Sequence, residues 1–196
     1  MNSFYSEEEL KDLNLKSYGK NVKISRKCSI YGAENIEVGN NVRIDDFTIL
    51  SGNIKIGNNV HISAYCALYG KNEIELQDYS GCSARCTIYS ETDDFSGEYM
   101  VGAVIPEKYT NVNSGKVLLG KYSQLGANTI VMPNIKIGEG AVTGSLTFVN
   151  RSLEDWTINI GIPVKKMKNR KKDLLKYVSS FENECKVLLN GKKERI

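Results

Sequence analysis

The sequence predicts an all-β fold: a parallel β-helix of short rungs, with a short helix before it and an α-helix after it. Three observations carry that expectation. Aliphatic residues recur at every sixth position, as Val38, Ile44, Leu50, Ile56, Ile62 and Leu68, and again as Leu119, Leu125, Val131, Ile137 and Val149, with Thr143 in the series. A second, often small residue stands four positions after many of them, among them Cys28, Val42, Thr48, Val60, Cys66, Ser80, Cys86, Ser123, Thr129, Ala141 and Thr147. Gly39, Gly57, Gly120, Gly126, Gly138 and Gly144 follow the first position, and Asn40-Asn41 and Asn58-Asn59 follow two of these positions. A period of six matches neither the 3.6 of a helix nor simple alternation. It matches short strands joined by turns, three to a coil of about 18 residues, each coil stabilised by its neighbours. Asn and Gly suit the turns because both tolerate left-handed backbone. About 20 inward aliphatics, each contributing roughly 1.5–3 kcal/mol on burial, give the stack its driving force.

Along the chain, Ser6-Glu7-Glu8-Glu9 is a capping box and predicts a short helix through Leu10 and Leu13, so that residues 1–21 form this helix and a lead-in. The β-helix spans 22–153, beginning with Ile24 and Ile30. Its register slips by two residues between Ile30 and Val38 and again between Leu68 and Leu76, then continues through Cys82 and Ile88. At 89–117 the pattern lapses. This stretch carries Glu91, Asp93, Asp94 and Glu98 near its start, with Phe95, Tyr99 and Tyr109. A long excursion from a compact solenoid is usually functional or disordered, and this composition favours function. Residues 154–196 form a C-terminal extension. Six cations crowd into it (Lys165, Lys166, Lys168, Arg170, Lys171 and Lys172), either to meet an anion or as a solvated face at a helix start. From about Lys171 the period is helical: Leu174, Val178, Phe181, Cys185 and Leu188 form one apolar stripe, packed on the solenoid or on a neighbouring subunit.

Composition narrows the function classes. No run approaches the roughly 18 apolar residues of a membrane span. A net charge of +3 argues against a nucleic-acid binder driven by bulk charge. Met1 to Ser6 is polar and then acidic, unlike a signal peptide. The five cysteines are odd in number and form no CxxC, so reduced thiols in a cytoplasm are expected, with Cys28, Cys66, Cys82 and Cys86 as small core residues. His61 is the one histidine; it follows inward-facing Val60 and is expected at a corner or facing outward. One histidine excludes a three-histidine zinc site, and no other metal spacing is present.

The six-residue pattern resembles the hexapeptide-repeat family, and Ile56-Gly57-Asn58-Asn59-Val60-His61 and Ile137-Gly138-Glu139-Gly140-Ala141-Val142 are close matches. The resemblance implies a left-handed coil. It also implies an acyltransferase that uses acyl-CoA or acyl carrier protein and works as a homotrimer with a site in each groove between prisms. Gly161-Ile162-Pro163-Val164-Lys165, followed by Arg170, is similar to the family's G-x-P-A-K…R ending. Leu125-Gly126-Ala127-Asn128-Thr129 keeps the family form, whereas Thr143-Gly144-Ser145-Leu146-Thr147 departs from its usual V-G-A-G-S. By this resemblance Gly126, Ala127 and Gly144 lie along pantetheine, with Ile162 and Pro163 beside the coenzyme and Lys165 and Arg170 near its phosphates. A basic run suits so polyanionic a molecule.

Many sugar O-acetyltransferases of the family carry a histidine in a segment like I-Y-T-A-T-H-P. In the matching segment here, Ile88 to Asp94, Asp93 stands at that position. A carboxylate with an ordinary pKa of about 3.9 is a poor base for a sugar hydroxyl but a good hydrogen-bond acceptor for an amine. A neutral amine can attack a thioester before it loses its proton. The phrases Phe4 to Leu10 and Asp93 to Tyr99 resemble N-acyltransferases of nucleotide-linked amino-deoxysugars, such as dTDP-4-amino-4,6-dideoxyglucose. In that subfamily a serine, and an aspartate ten residues later, lie near the sugar amine; Ser83 and Asp93 have that spacing. The expectation is therefore a cytoplasmic, acyl-CoA-dependent N-acyltransferase serving surface-glycan (lipopolysaccharide) synthesis, with no metal, nucleic-acid or membrane partner. Asp93 and Ser83 orient the amine, and Asp94, Glu98, Tyr99 and His61 shape the acceptor side. Two rivals stand beside it: an O-acetyltransferase of a sugar or polysaccharide with His61 as base, and a scaffold without catalysis. The acidic-aromatic excursion and the G-x-P-x-K ending argue against the scaffold.

Overall fold

A computed structural model of the chain describes residues 3–191, with side chains through Glu184. The rungs stack into three parallel faces. On the first, Ile36 pairs with Ile54, Ile54 with Ile74, Ile74 with Val117, and Leu118 with Lys136. The second face stacks Lys23–Ile24, Arg43–Ile44, His61–Ile62, Gly81–Cys82, Gln124–Leu125, Val142–Thr143 and Thr157–Ile160. On the third, Ile30 pairs with Leu50, Leu50 with Leu68, Leu68 with Ile88, Ile88 with Val131, and Val131 with Val149. Two strands, Ile49–Ile56 and Ala67–Leu76, run round a corner and join the first and third faces. Stacking begins at Ser17–Tyr18 and ends at Thr157–Ile160.

The sixth-residue series is the core. Ile24, Ile44, Leu50, Ile62, Leu68, Leu76, Ile88, Leu119 and Leu125 are fully buried; Ile30, on the exposed first coil, is half-buried. The residues four places on are buried as well, with only Cys28 partly open. The parallel β-helix with one short and one longer helix is therefore the fold that the repeat predicts.

Corners need left-handed backbone, and asparagine supplies it at Asn21, Asn41 and Asn59, whose amides form a ladder: Asn21 Nδ2 donates to Asn41 at 2.6 Å and Asn41 Nδ2 to Asn59 at 2.7 Å. In later coils the same corner is turned by Tyr79, Tyr122 and Trp156, and a second corner by Phe47, Tyr65 and Arg85. Side chains this large disfavour positive φ. Here their rings stack along the corner, Phe47 on Tyr65 at 4.9 Å and Tyr79 on Tyr122 at 5.2 Å, which offsets the backbone cost.

The irregularities gather at the third corner. The first two-residue slip is the turn Ala33–Asn35 after left-handed Gly32; the second lies within Ala67–Leu76. The long excursion leaves the same corner after Tyr89, and Val117 resumes in register against Ile74. The core thus passes beneath the insertion unbroken.

At the N-terminal end the helix Glu7–Asp12 carries the expected capping box, and Leu10 is buried on the first coil. Arg26 donates to Glu9 at 2.5 Å and 2.6 Å, and this hydrogen bonding, first among its causes, holds Glu9 down to about 2 from an ordinary 4.5. At the other end the basic run is not a helix start. Lys165–Asn169 is an exposed strand antiparallel to Thr157–Ile160, and the helix is Leu175–Gly191. Its stripe packs on its own solenoid: Phe181 meets Tyr79 edge-on at 6.1 Å, and Tyr79 Oη donates to Glu182 at 2.9 Å. The side chains of Cys185 and Leu188 lie outside the described residues.

Candidate active site

The excursion is planted on the coil below it. Ser90 is fully buried; its hydroxyl donates to the Tyr69 carbonyl and accepts from the Asn72 amide, each at 2.9 Å. From there Glu91–Asp93 and Val112–Ser114 form an antiparallel hairpin. A cavity of about 610 Å³ opens beside it, lined among others by Lys71, Asn72, Glu91, Asp93, Glu107 and Asn111.

Two adjacent carboxylates there have different work. Asp94 accepts from the Ser96 amide at 2.7 Å and from Asn111 Nδ2 at 3.0 Å. Those bonds, the Ser96 amide first, hold it below the ordinary carboxylate range. It orders the loop. Asp93 lines the cavity, and its carboxylate has no partner among the described residues. Lys71 is paired with Glu91 at 3.3 Å, so Asp93 and Glu107 leave the cavity with surplus negative charge. Such a cavity suits a group bearing N–H donors. Glu98 and Tyr99 are exposed farther along the loop, outside the cavity lining.

Ser83 stands elsewhere. It is exposed at the corner that ends the second face, whereas the Asp93 hairpin leaves the corner that ends the third; Ser83 does not line the Asp93 cavity. Register places it in one column with Asp45, Ser63, Gly126 and Gly144. A Cβ on Gly126 would lie 2.5 Å from the Gly144 carbonyl carbon, and one on Gly144 would lie 2.9 Å from Ile160 Cγ2. Coil stacking alone therefore demands Gly126, whereas at Gly144 the one close atom is the methyl of an exposed isoleucine, which can give way. The Gly126 amide is taken by the Thr143 hydroxyl at 2.9 Å. The next amides, those of Ala84 and Ala127, have no partner among the described residues.

The remaining candidates divide. Arg170 Nη1 donates to the Tyr122 and Gly140 carbonyls at 2.9 Å each, and its guanidinium lies 6.0 Å from the Trp156 ring; burial lowers its pKa. It is a strut between coils. Lys165, Ile162 and Pro163 are exposed together at the end of the stack. His61 faces outward on the second face, its Nε2 at 2.8 Å from Asp45, which also accepts from Arg43 at 2.7 Å. The sequence reading missed Lys71, Asn72, Glu107 and Asn111. Only the two-residue slip between Leu68 and Leu76 hinted that residues near 71 reach outward to the excursion. Cys28, Cys66, Cys82 and Cys86 are free thiols. Among the described residues no three metal-binding side chains cluster, and no helix is long and apolar enough to cross a membrane.

Residues 35–70 match the family model described as bacterial transferase hexapeptide (six repeats). Over 183 residues the chain is 43% identical to the dTDP-4-amino-4,6-dideoxy-D-glucose acyltransferase of Escherichia coli, covering 92% of this chain and 95% of that protein. It is also similar to AntD, an N-acyltransferase from Bacillus cereus solved with dTDP-4-amino-4,6-dideoxyglucose and coenzyme A (49% identity, TM-score 0.92, 94% of this chain and 99% of that one). AntD has also been solved with dTDP and 3-hydroxybutyryl-CoA. The serine and the aspartate substituted in AntD variants are ten residues apart, the separation of Ser83 and Asp93 here. A galactoside acetyltransferase at 14% identity and TM-score 0.60, covering 85% of this chain and 72% of that one, shares the fold.

Proposed function

This chain belongs to the hexapeptide-repeat acyltransferases, and from that premise we propose that it moves a short acyl group from acyl-CoA to the amine of a nucleotide-linked amino-deoxysugar, dTDP-4-amino-4,6-dideoxyglucose first among them. The observation that carries the reading is Asp93: an unpartnered carboxylate in an acid-rich cavity, ten residues after an exposed serine. Asp93 and Ser83 orient the sugar amine. Its nitrogen attacks the thioester carbonyl, the C–N bond forms, the C–S bond breaks, and the amine's proton passes to the departing thiolate. The amides of Ala84 and Ala127 supply donors where negative charge develops on the oxygen. Lys165, with Ile162 and Pro163, meets the coenzyme, while Arg170 holds the stack beside it.

The active form is a homotrimer in which the Ser83 column of one prism faces the excursion of the next. What supports this is that Ser83 and Asp93 leave different corners of one chain and share no cavity within it. Four free thiols among the described residues suit a reducing cytoplasm, where acyl-CoA is available.

The test is thiol release from acetyl-CoA and 3-hydroxybutyryl-CoA with a panel of 3- and 4-aminosugar nucleotides and their hydroxyl counterparts. Release should require the amine. Release with the hydroxyl sugars alone would move the assignment to O-acetylation.

A further inference from the structure

The corner ending the second face differs from the corner ending the third in what lies beneath it. Under the corner ending the second face, the inward residue is Cys28, Thr48, Cys66, Cys86, Thr129 and Thr147 in successive coils, a hydrogen-bond donor every time. Under the corner ending the third it is Ile36, Ile54, Ile74, Val117, Ile135 and Leu153. Under the third corner packing is thus met by an aliphatic side chain in every coil; under the corner ending the first face Ser80 and Ser123 stand among Val22, Val42, Val60 and Ala141, and their buried hydroxyls have no partner among the described residues. The donors are used. Cys28 Sγ reaches the Asp45 carbonyl, Thr48 Oγ1 that of Ser63, Cys66 Sγ that of Ser83 and Cys86 Sγ that of Gly126, each at 3.2 Å. Thr129 reaches Gly126 at 2.6 Å and Thr147 reaches Gly144 at 2.8 Å.

A trans peptide is planar, and its C=O and N–H point in opposite directions. A donor that holds the Ser83 carbonyl toward the core therefore turns the Ala84 N–H away from it. The same holds for the Gly126 carbonyl and the Ala127 N–H, where the Cys86 thiol shares the carbonyl with the Thr129 hydroxyl. These are the two unpartnered amides of the candidate site. Ser83 is also tied from its other side, since its own N–H donates to Leu125 at 2.9 Å. Cys66 and Cys86 are 1% and 0% exposed, and burial opposes ionisation of either. Their mutual hydrogen bond raises Cys86 and lowers Cys66, while burial raises both.

We propose that Cys66 and Cys86 are positioning residues for acyl transfer: their thiols fix the two peptide planes that present the Ala84 and Ala127 amides, and with them the Ser83 hydroxyl, to the reacting thioester. This rests on the function proposed above. The test compares Cys66→Ala, Cys86→Ala, Cys66→Thr and Cys28→Ala in the full-length enzyme. Cys66→Ala, which takes the side-chain donor from the Ser83 carbonyl, should lower kcat about tenfold, and Cys86→Ala, which leaves the Gly126 carbonyl to Thr129, by a smaller factor of about three, while KM for the aminosugar stays within about twofold, because the amides act on charge that develops only in the transition state. Threonine at 66, which makes the same bond to the next coil at 48, should restore kcat to within about threefold of wild type. Cys28→Ala removes the same bond at a coil away from the site and should lower Tm without lowering kcat. If an alanine variant fails to fold, Cys66→Val, which keeps the volume and lacks the donor, takes its place and should show the same fall. Wild-type kcat in Cys66→Ala and Cys86→Ala, or a Cys66→Thr variant that folds but does not recover, would overturn the proposal. A wild-type enzyme inactive on every aminosugar would instead overturn the functional reading, and this inference with it.

Discussion

The solenoid and the excursion at 90–116 obey opposite rules. In the solenoid each side chain has a counterpart one coil away: Leu50 lies between Ile30 and Leu68, and Asn41 between Asn21 and Asn59. In the excursion the residues are half-buried or exposed apart from Ser90, order comes from a few bonds such as those to Asp94, and the carboxylate of Asp93 is left open. Burial holds the first together, and local polar contacts shape the second. A rigid stack can carry an insertion that contributes little to stability and much to chemistry.

Excising the loop separates the two rules most cleanly. Replacing 92–113 by a short glycine turn, like Gly52-Asn53 at the equivalent corner two coils earlier, should reduce transfer to background; calorimetry should find Tm within a few degrees of wild type. A large loss of Tm would mean that the excursion is structural after all. Leu50→Ala is the converse. It empties a fully buried core position and should cost roughly 2–5 kcal/mol in denaturant unfolding, with turnover per folded molecule little changed. Between the paired carboxylates, Asp93→Asn should lower kcat about 100-fold, while Asp94→Asn should chiefly raise KM by loosening the loop. Similar kcat losses in steady-state assays would erase the distinction drawn between them. His61→Ala should cost at most about threefold under the amine reading; complete loss would revive His61 as a base for a hydroxyl acceptor. The smallest effect concerns the N-terminal cap. Glu9 sits near 2 when folded against 4.5 ordinarily, so its pairing with Arg26 stabilises fully above about 4.5 and is lost as pH falls toward about 2. The pair is exposed, so hydrogen exchange should show the helix Glu7–Asp12 loosening across that window by a small amount that high salt reduces further.

Several features were out of reach of the pattern. The corner tyrosines and Trp156 read as ordinary aromatics, because left-handed backbone at Tyr79 or Tyr122 is offset only by a ring in the next coil. Arg170 reads as a phosphate ligand in the sequence, which cannot show that its Nη1 also ties two carbonyls from coils 30 and 48 residues earlier. The capping box at Ser6 and Glu9 was legible because both partners lie within one helical turn.

The stack is legible in the residues alone, because a six-residue burial period is a local property and every coil satisfies it with its neighbours in the same register. Which carboxylate is open and which thiols hold the site emerges only once the coils are stacked. Asp94 is engaged by Asn111 from across the hairpin, 17 residues away, and Cys66 meets Ser83 across a coil, also 17 residues on. Partners at that distance are chosen by how strands pair, and no short window of sequence contains them.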